Sequence, residues 1–165
     1  MKRIACFLFA LMLLFSICAC SADDSNIQVP AVFFYCAETV SYNSETGVID
    51  SEVRETESFH GDLRSILNHY LQGPKSQQLN SPFPDGSCVE WLNQVGTEIT
   101  LIISQPFTKL TGIHLTLACA CLSKTLFSLT DAETLKIYGG HMALDSNNYI
   151  TLTRDSLLLL DDHPA

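Results

Sequence analysis

The sequence predicts an α+β domain: a small mixed or antiparallel sheet with two helices packed on one of its faces. Three observations lead there. Leu63, Ile66, Leu67, Tyr70 and Leu71 repeat at the 3.6-residue period of an amphipathic helix. Residues 113–127 form a second helical stretch that is apolar almost all round. Between and around them lie short runs of strand length, bounded by Pro, Gly, Asn and Asp. In order the elements read strand, helix, hairpin, helix, strand.

The first nineteen residues are expected to lie outside this domain. Lys2 and Arg3 precede an apolar run from Ile4 to Ile17, interrupted only by Ser16. A positive start and an apolar stretch short for a bilayer span are the marks of an export signal. Ile17-Cys18-Ala19-Cys20 resembles a bacterial lipobox, which makes Cys20 the lipidated N-terminus after cleavage behind Ala19. Two or more acyl chains there would anchor the protein durably to the cell membrane, on its extracytoplasmic face. Residues 20–28 are polar and acidic and read as a tether. Residues 29–165 are then a single domain.

Charge narrows the partners. The chain has 18 acidic and 9 basic residues, a formal net charge of −9. Loss of Lys2 and Arg3 leaves 7 basic residues and a formal −11. With no basic patch, nucleic acid is excluded as a partner, and an anionic membrane face repels the domain body.

Taking the elements in turn, Val29–Ala37 is a dense apolar run, expected as a strand buried on both faces or central in its sheet. Gly47–Ser58 alternates weakly and is expected as an exposed edge strand, with Val48 and Val53 as the candidate partner edge. The first helix is expected over Phe59–Leu71, with Arg64, Asn68 and Gln72 facing water. Gly73 and Pro74 end it, Gly by taking a left-handed cap and Pro by lacking the N–H to continue. Ser81 to Gly86 turns the chain into a hairpin, Cys88–Asn93 and Thr97–Ile103. Pro106 breaks the second strand. The long apolar helix follows, then a strand at Thr134–Tyr138, a Gly139-Gly140 turn with a return at His141–Leu144, and a turn at Asp145–Asn148.

The stretch LQGPKSQQLNSPFPDGSCV and the later SQPFTKLTGIHLTLACACLSKTLFSLTDAETLKIYGG resemble the GerMN domain of sporulation and spore germination lipoproteins. The matching positions are Leu71, Gly73, Pro74, Pro84, Gly86, Ser104, Phe107, Gly112, Thr125 and Leu126, over residues 29–144. The resemblance implies a fold similar to the ring-building motifs of secretion assemblies, an envelope-anchored interaction module, and self-association as one form of interaction. It assigns structural roles to Leu71, Gly73, Pro74, Pro84, Gly86, Phe107 and Gly112. The sequence departs from the family at Glu90-Trp91, at Asn93, and in carrying one copy.

Chemical motifs are sparse. The sequence carries no HExxH, no Gly-x-Ser-x-Gly elbow, no Gly-rich phosphate loop and no paired thiols at zinc spacing. No catalytic residue, metal site or cofactor is therefore expected. Besides Cys20, the cysteines Cys36, Cys88, Cys119 and Cys121 lie in apolar elements and read as core thiols, although export permits bridges. Cys119 and Cys121 point about 200° apart on a helix, so they do not bond each other easily. The expected function is a lipid-anchored extracytoplasmic interaction module that docks envelope proteins, in sporulation or germination or in envelope assembly. The alternative is a solute- or cell-wall-binding lipoprotein, which predicts a polar-lined pocket.

Overall fold

The computed structural model describes residues 28–38, 48–57, 62–140 and 149–157. The lipobox with Cys20, the tether up to residue 27, Phe59, the His141–Leu144 return and the Asp145–Asn148 turn lie outside the described residues, while Gln28, expected in the tether, opens a strand. The elements are β1 (Gln28–Ala37), β2 (Ile49–Glu57), α1 (Leu63–Leu71), β3 (Leu79–Asn80), β4 (Val89–Val95) and β5 (Glu98–Ile103). A 3-10 turn (Gln105–Lys109), α2 (Gly112–Leu129), β6 (Thr134–Gly139), β7 (Ile150–Thr153) and the one-turn α3 (Arg154–Leu157) complete them.

The α+β class is as expected, and the strands divide between two hydrogen-bonded sheets. One has the order β2-β1-β3 and the other β4-β5-β6-β7. β4 and β5 make the expected hairpin around Gly96-Thr97, with Val95 opposite Glu98. Gly96 takes a φ of 59°, the positive value that primed hairpin turns require at their first central residue. β5 and β6 are parallel. A parallel pair cannot be joined by a tight turn, and α2 supplies the crossover.

One buried cluster draws on both sheets. Ala31, Phe33 and Tyr35 of β1 meet Leu67, Tyr70 and Leu71 of α1, Ile99, Leu101 and Ile103 of β5, and Leu122 and Leu126 of α2. Alternation along β1 and β5 puts those residues on one face of each strand. Tyr70 is the hub, with ring centroids 5.6 Å from Phe33, 4.9 Å from Tyr35 and 5.1 Å from Phe83.

α1 differs from expectation on its polar side. Asn68 and Arg64 do not simply face water. Val89 N–H donates to Asn68 Oδ1 at 2.8 Å, and Arg64 Nε donates to the Val89 carbonyl at 3.1 Å. Both backbone groups that open β4 are thus satisfied from α1, which fastens one sheet to the other.

α2 fastens the other edge. β1 is paired along its length with β2, but β3 covers its opposite edge only at Cys36 and Ala37. By the antiparallel register, Val32 and Phe34 direct their backbone groups toward that uncovered edge. Side-chain hydroxyls take the place of a strand there. Phe34 N–H donates to Thr125 Oγ1 at 3.0 Å, and Tyr70 OH donates to the Phe34 carbonyl at 2.7 Å. Ser128 shares its hydroxyl proton between the carbonyls of Val32 and Thr125, at 3.0 and 2.8 Å. Thr125 also bonds the Tyr70 hydroxyl, closing a ring of polar contacts inside the core.

Thr125 is fully buried. Thr125→Val keeps its shape and leaves the Phe34 N–H unsatisfied, so it is expected to lower the unfolding free energy by about 1–3 kcal/mol. Urea denaturation followed by circular dichroism measures this. A value equal to wild type would mean that Phe34 finds another acceptor.

Candidate interaction surface

The surface is built on β2, which lies at the edge of the three-stranded sheet. Glu52 and Arg54 are two residues apart on this strand and therefore project from the same face. Arg54 lies over the rings of Phe33 and Tyr35, 5.1 and 5.5 Å from their centroids. Its Nη2 donates to Tyr35 OH and to the Gly73 carbonyl, each at 2.8 Å, and its guanidinium is ion-paired with Glu52. Tyr35 OH lies 2.9 Å from the Tyr70 carbonyl and 3.1 Å from that of Gly73. The Glu52 carboxylate accepts from the N–H groups of Lys75 and Ser76, at distances of 2.9–3.1 Å.

This network clamps the end of α1 onto β2. Gly73 has a φ of 106°, a value that a side chain disfavours, as the sequence led one to expect of the helix stop. Its carbonyl is the point on which Arg54 and Tyr35 converge. Burial alone pushes the Glu52 carboxyl up, but the Lys75 and Ser76 N–H groups and the Arg54 guanidinium outweigh it and hold the pKa below its ordinary value. Burial pushes the Tyr35 phenol up, so it stays protonated at all ordinary pH.

With Glu52 and Arg54 turned inward, Val53 is turned out. It is 65% exposed and stands opposite Val32 in register. Val32 and Phe34 of β1 lie on the same face as Val53 but are half-buried, and Lys124 of α2 lies over the Phe34 ring, 5.4 Å from its centroid. Val48 is 43% exposed. It precedes β2 and, by alternation, falls on the opposite side from Val53, about 16 Å away along the strand. The two valines therefore share an edge and not a face. On that edge the Ser51 N–H is taken by its neighbour's carboxylate, Asp50 Oδ1, at 2.7 Å.

The other predicted positions serve the scaffold. Leu71 and Phe107 are buried. Pro74 follows Gly73 out of the helix stop. Pro84 accepts from both the N–H and the hydroxyl of Ser87, at 3.1 and 2.7 Å, in the turn where Gly86 has a φ of 77°. Ser104 binds that turn to the second strand: its hydroxyl accepts from Cys88 N–H at 2.9 Å, and its own N–H donates to the Cys88 carbonyl. Gly112, with a φ of 58°, starts α2. Glu52, Arg54 and Tyr35 were not singled out from the sequence. The available signal was two opposite charges at strand spacing, beside a buried tyrosine.

Between α1 and β2 lies an open groove of about 670 Å³, whose lining includes Phe33, Arg54, Glu55, Ile66, His69 and Lys75. Arg54 does not serve as an anion receptor there in the way its position suggests, because Nε and Nη2 are engaged by Glu52, Tyr35 and Gly73. Among the described residues, no group of three or more His, Cys, Asp or Glu side chains could hold a metal ion. Helix α2 is long and apolar enough to cross a membrane, but half of it is buried in this structure, as in a core helix.

This arrangement of strands and helices matches the tandem GerMN domains of the sporulation protein GerM from Bacillus subtilis, with a TM-score of 0.56 at 17% sequence identity. The fold is GerMN-like. The match covers 74% of this chain and 42% of the tandem structure, so the chain spans less than half of that protein's length. A candidate lipoprotein from Clostridium perfringens aligns more loosely, with a TM-score of 0.40 at 14% identity, over 82% of this chain and 95% of that one. No family model matches the chain, and no curated protein does.

The Glu52 clamp has a pH signature. A carboxyl held below its ordinary pKa of 4.5 contributes stability that is fully present above that value and is lost as pH falls below it. Glu52→Gln cannot lose that contribution on acidification. The wild type is expected to lose stability faster than Glu52→Gln below about pH 4.5, and thermal melts between pH 7 and pH 3 measure the difference. Parallel curves would show that the carboxylate is not held by these partners.

Proposed function

We propose that the chain is a lipid-anchored, extracytoplasmic interaction module that docks another envelope protein and catalyses no reaction. The observation that carries this is Val53, an exposed apolar side chain on an edge strand whose inner side is clamped to the core. An edge strand offers backbone groups to a partner strand, and an exposed apolar side chain on it adds contact area. β2 also carries Asp50 and Glu55, so a partner segment with basic side chains is favoured. Acylation of Cys20 and the tether of residues 20–28 hold this surface at the membrane. The GerMN-like fold is that of a sporulation protein, which supports a place in sporulation or germination complexes or in envelope assembly.

A solute- or cell-wall-binding role is the second reading, favoured by the groove between α1 and β2. It makes a different demand, since ligand binding there would depend on His69 and Lys75 and not on Val53.

Two measurements test the proposal. Cys20→Ala is expected to move the protein from the membrane fraction to the soluble or unprocessed fraction, with loss of the acylated N-terminus by mass spectrometry. An unmodified N-terminus in the wild type would overturn the anchor. Val53→Lys places a charge at a position that is mostly exposed, so it is expected to leave the melting temperature unchanged within about 2 °C. It is expected to lower recovery of a cross-linked envelope partner by about tenfold, a loss of roughly 1.4 kcal/mol. Undiminished recovery would place the contact elsewhere.

A further inference from the structure

We propose that Cys36 and Cys121 are a disulfide-forming pair that staples β1 to α2. The two thiols are hydrogen-bonded to each other, although they lie 85 residues apart in sequence. Their meeting is a consequence of how α2 lies along β1. Thr125 faces Phe34 and Ser128 faces Val32. One turn before Thr125 on the helix comes Cys121, and two residues beyond Phe34 on the strand comes Cys36. One helical step of four residues advances about 6 Å and two strand residues advance about 6.6 Å, so the two ladders stay nearly in step. The thiol pair is therefore the first rung of the contact that seals the β1 edge.

The other two cysteines among the described residues are placed elsewhere. Cys88 is exposed at the start of the hairpin. Cys119 lines a cavity with Ile150 and Leu152 of β7, on the side of α2 away from β1. Burial raises its thiol pKa to about 11. The Cys121 hydrogen bond lowers the pKa of Cys36 against the opposing effect of burial, while the same hydrogen bond and burial raise that of Cys121. That asymmetry makes Cys36 the first nucleophile.

The oxidant is a disulfide, either a small one such as oxidised glutathione or that of a thiol–disulfide oxidoreductase. The Cys36 thiolate attacks one sulfur of it, forming a mixed disulfide and releasing one thiolate. Cys121 then loses its proton and attacks the Cys36 sulfur, expelling the second thiolate. Two protein thiols become one disulfide, and the oxidant's disulfide becomes two thiols.

The pairing rests on the contact between the two residues; only its state in the cell rests on the extracytoplasmic location proposed above. The test uses the full chain in detergent, first reduced, then equilibrated with oxidised glutathione, quenched in acid, denatured, alkylated and mapped by mass spectrometry. The expected product is a Cys36–Cys121 linked peptide, with Cys88 and Cys119 alkylated and the mass lower by about 2 Da, the two hydrogens removed. The melting temperature is expected to rise on the order of ten degrees, to fall again with dithiothreitol, and not to rise in Cys36→Ala. Alkylation of both Cys36 and Cys121, glutathione adducts that persist on either, or pairing with Cys88 or Cys119 would overturn the proposal. Acid trapping directly from cell envelopes separates the location from the pairing. A pair that closes in detergent but is reduced in the envelope counts against the oxidising location and leaves the pairing intact.

Discussion

The structure depends on how one strand disposes of its backbone. β1 is the central strand of its sheet, yet β3 covers only its last two residues on one side. Buried amide and carbonyl groups left without partners would each cost about 1–3 kcal/mol. Thr125, Ser128 and Tyr70 satisfy them with hydroxyls instead of with another strand. That substitution fixes α2 beside β1 and holds Tyr70 at the centre of the aromatic cluster. It also joins the two sheets into one core.

A second constraint follows from the end of α1. Gly73 leaves the helix with a carbonyl pointed back at the sheet, and Arg54 and Tyr35 meet it. Arg54 must cross the rings of Phe33 and Tyr35 to reach it, and Glu52 holds the guanidinium there. The clamp turns both charges inward and leaves Val53 outward. An exposed apolar residue between two inward charges inverts the usual pattern of a half-buried strand. The geometry that stabilises the helix stop thus also leaves Val53 on the surface.

Much of this was legible in the chain. The stripe of Leu63, Ile66, Leu67, Tyr70 and Leu71 located α1, because 3.6-residue periodicity is a local property. Gly73-Pro74 located a helix stop and Gln94-Val95-Gly96 a hairpin connection, because positive φ and a missing N–H act within a few residues; the structure carries β4 on to Val95 and turns at Gly96-Thr97. The GerMN resemblance was carried in part by Gly73 and Pro74, and the fold agrees with it. Arg64, Asn68, Glu52 and Arg54 read as surface charges and polar groups. Their partners, Val89, Gly73, Lys75 and Ser76, lie too far along the chain for any local pattern to reveal them.

The sequence by itself determined the α+β class, the kind and approximate place of the main helices and strands, and that α2 had to be largely buried. Periodicity, capping and turn chemistry act over a few residues, so they survive without the rest of the molecule. Only the tertiary structure decided that the strands split into two sheets, that β5 and β6 run parallel, that hydroxyls seal β1, and that Cys36 meets Cys121. Each of those depends on contacts between segments tens of residues apart. Their register is set by packing the whole core at once, and no single stretch of the chain encodes it.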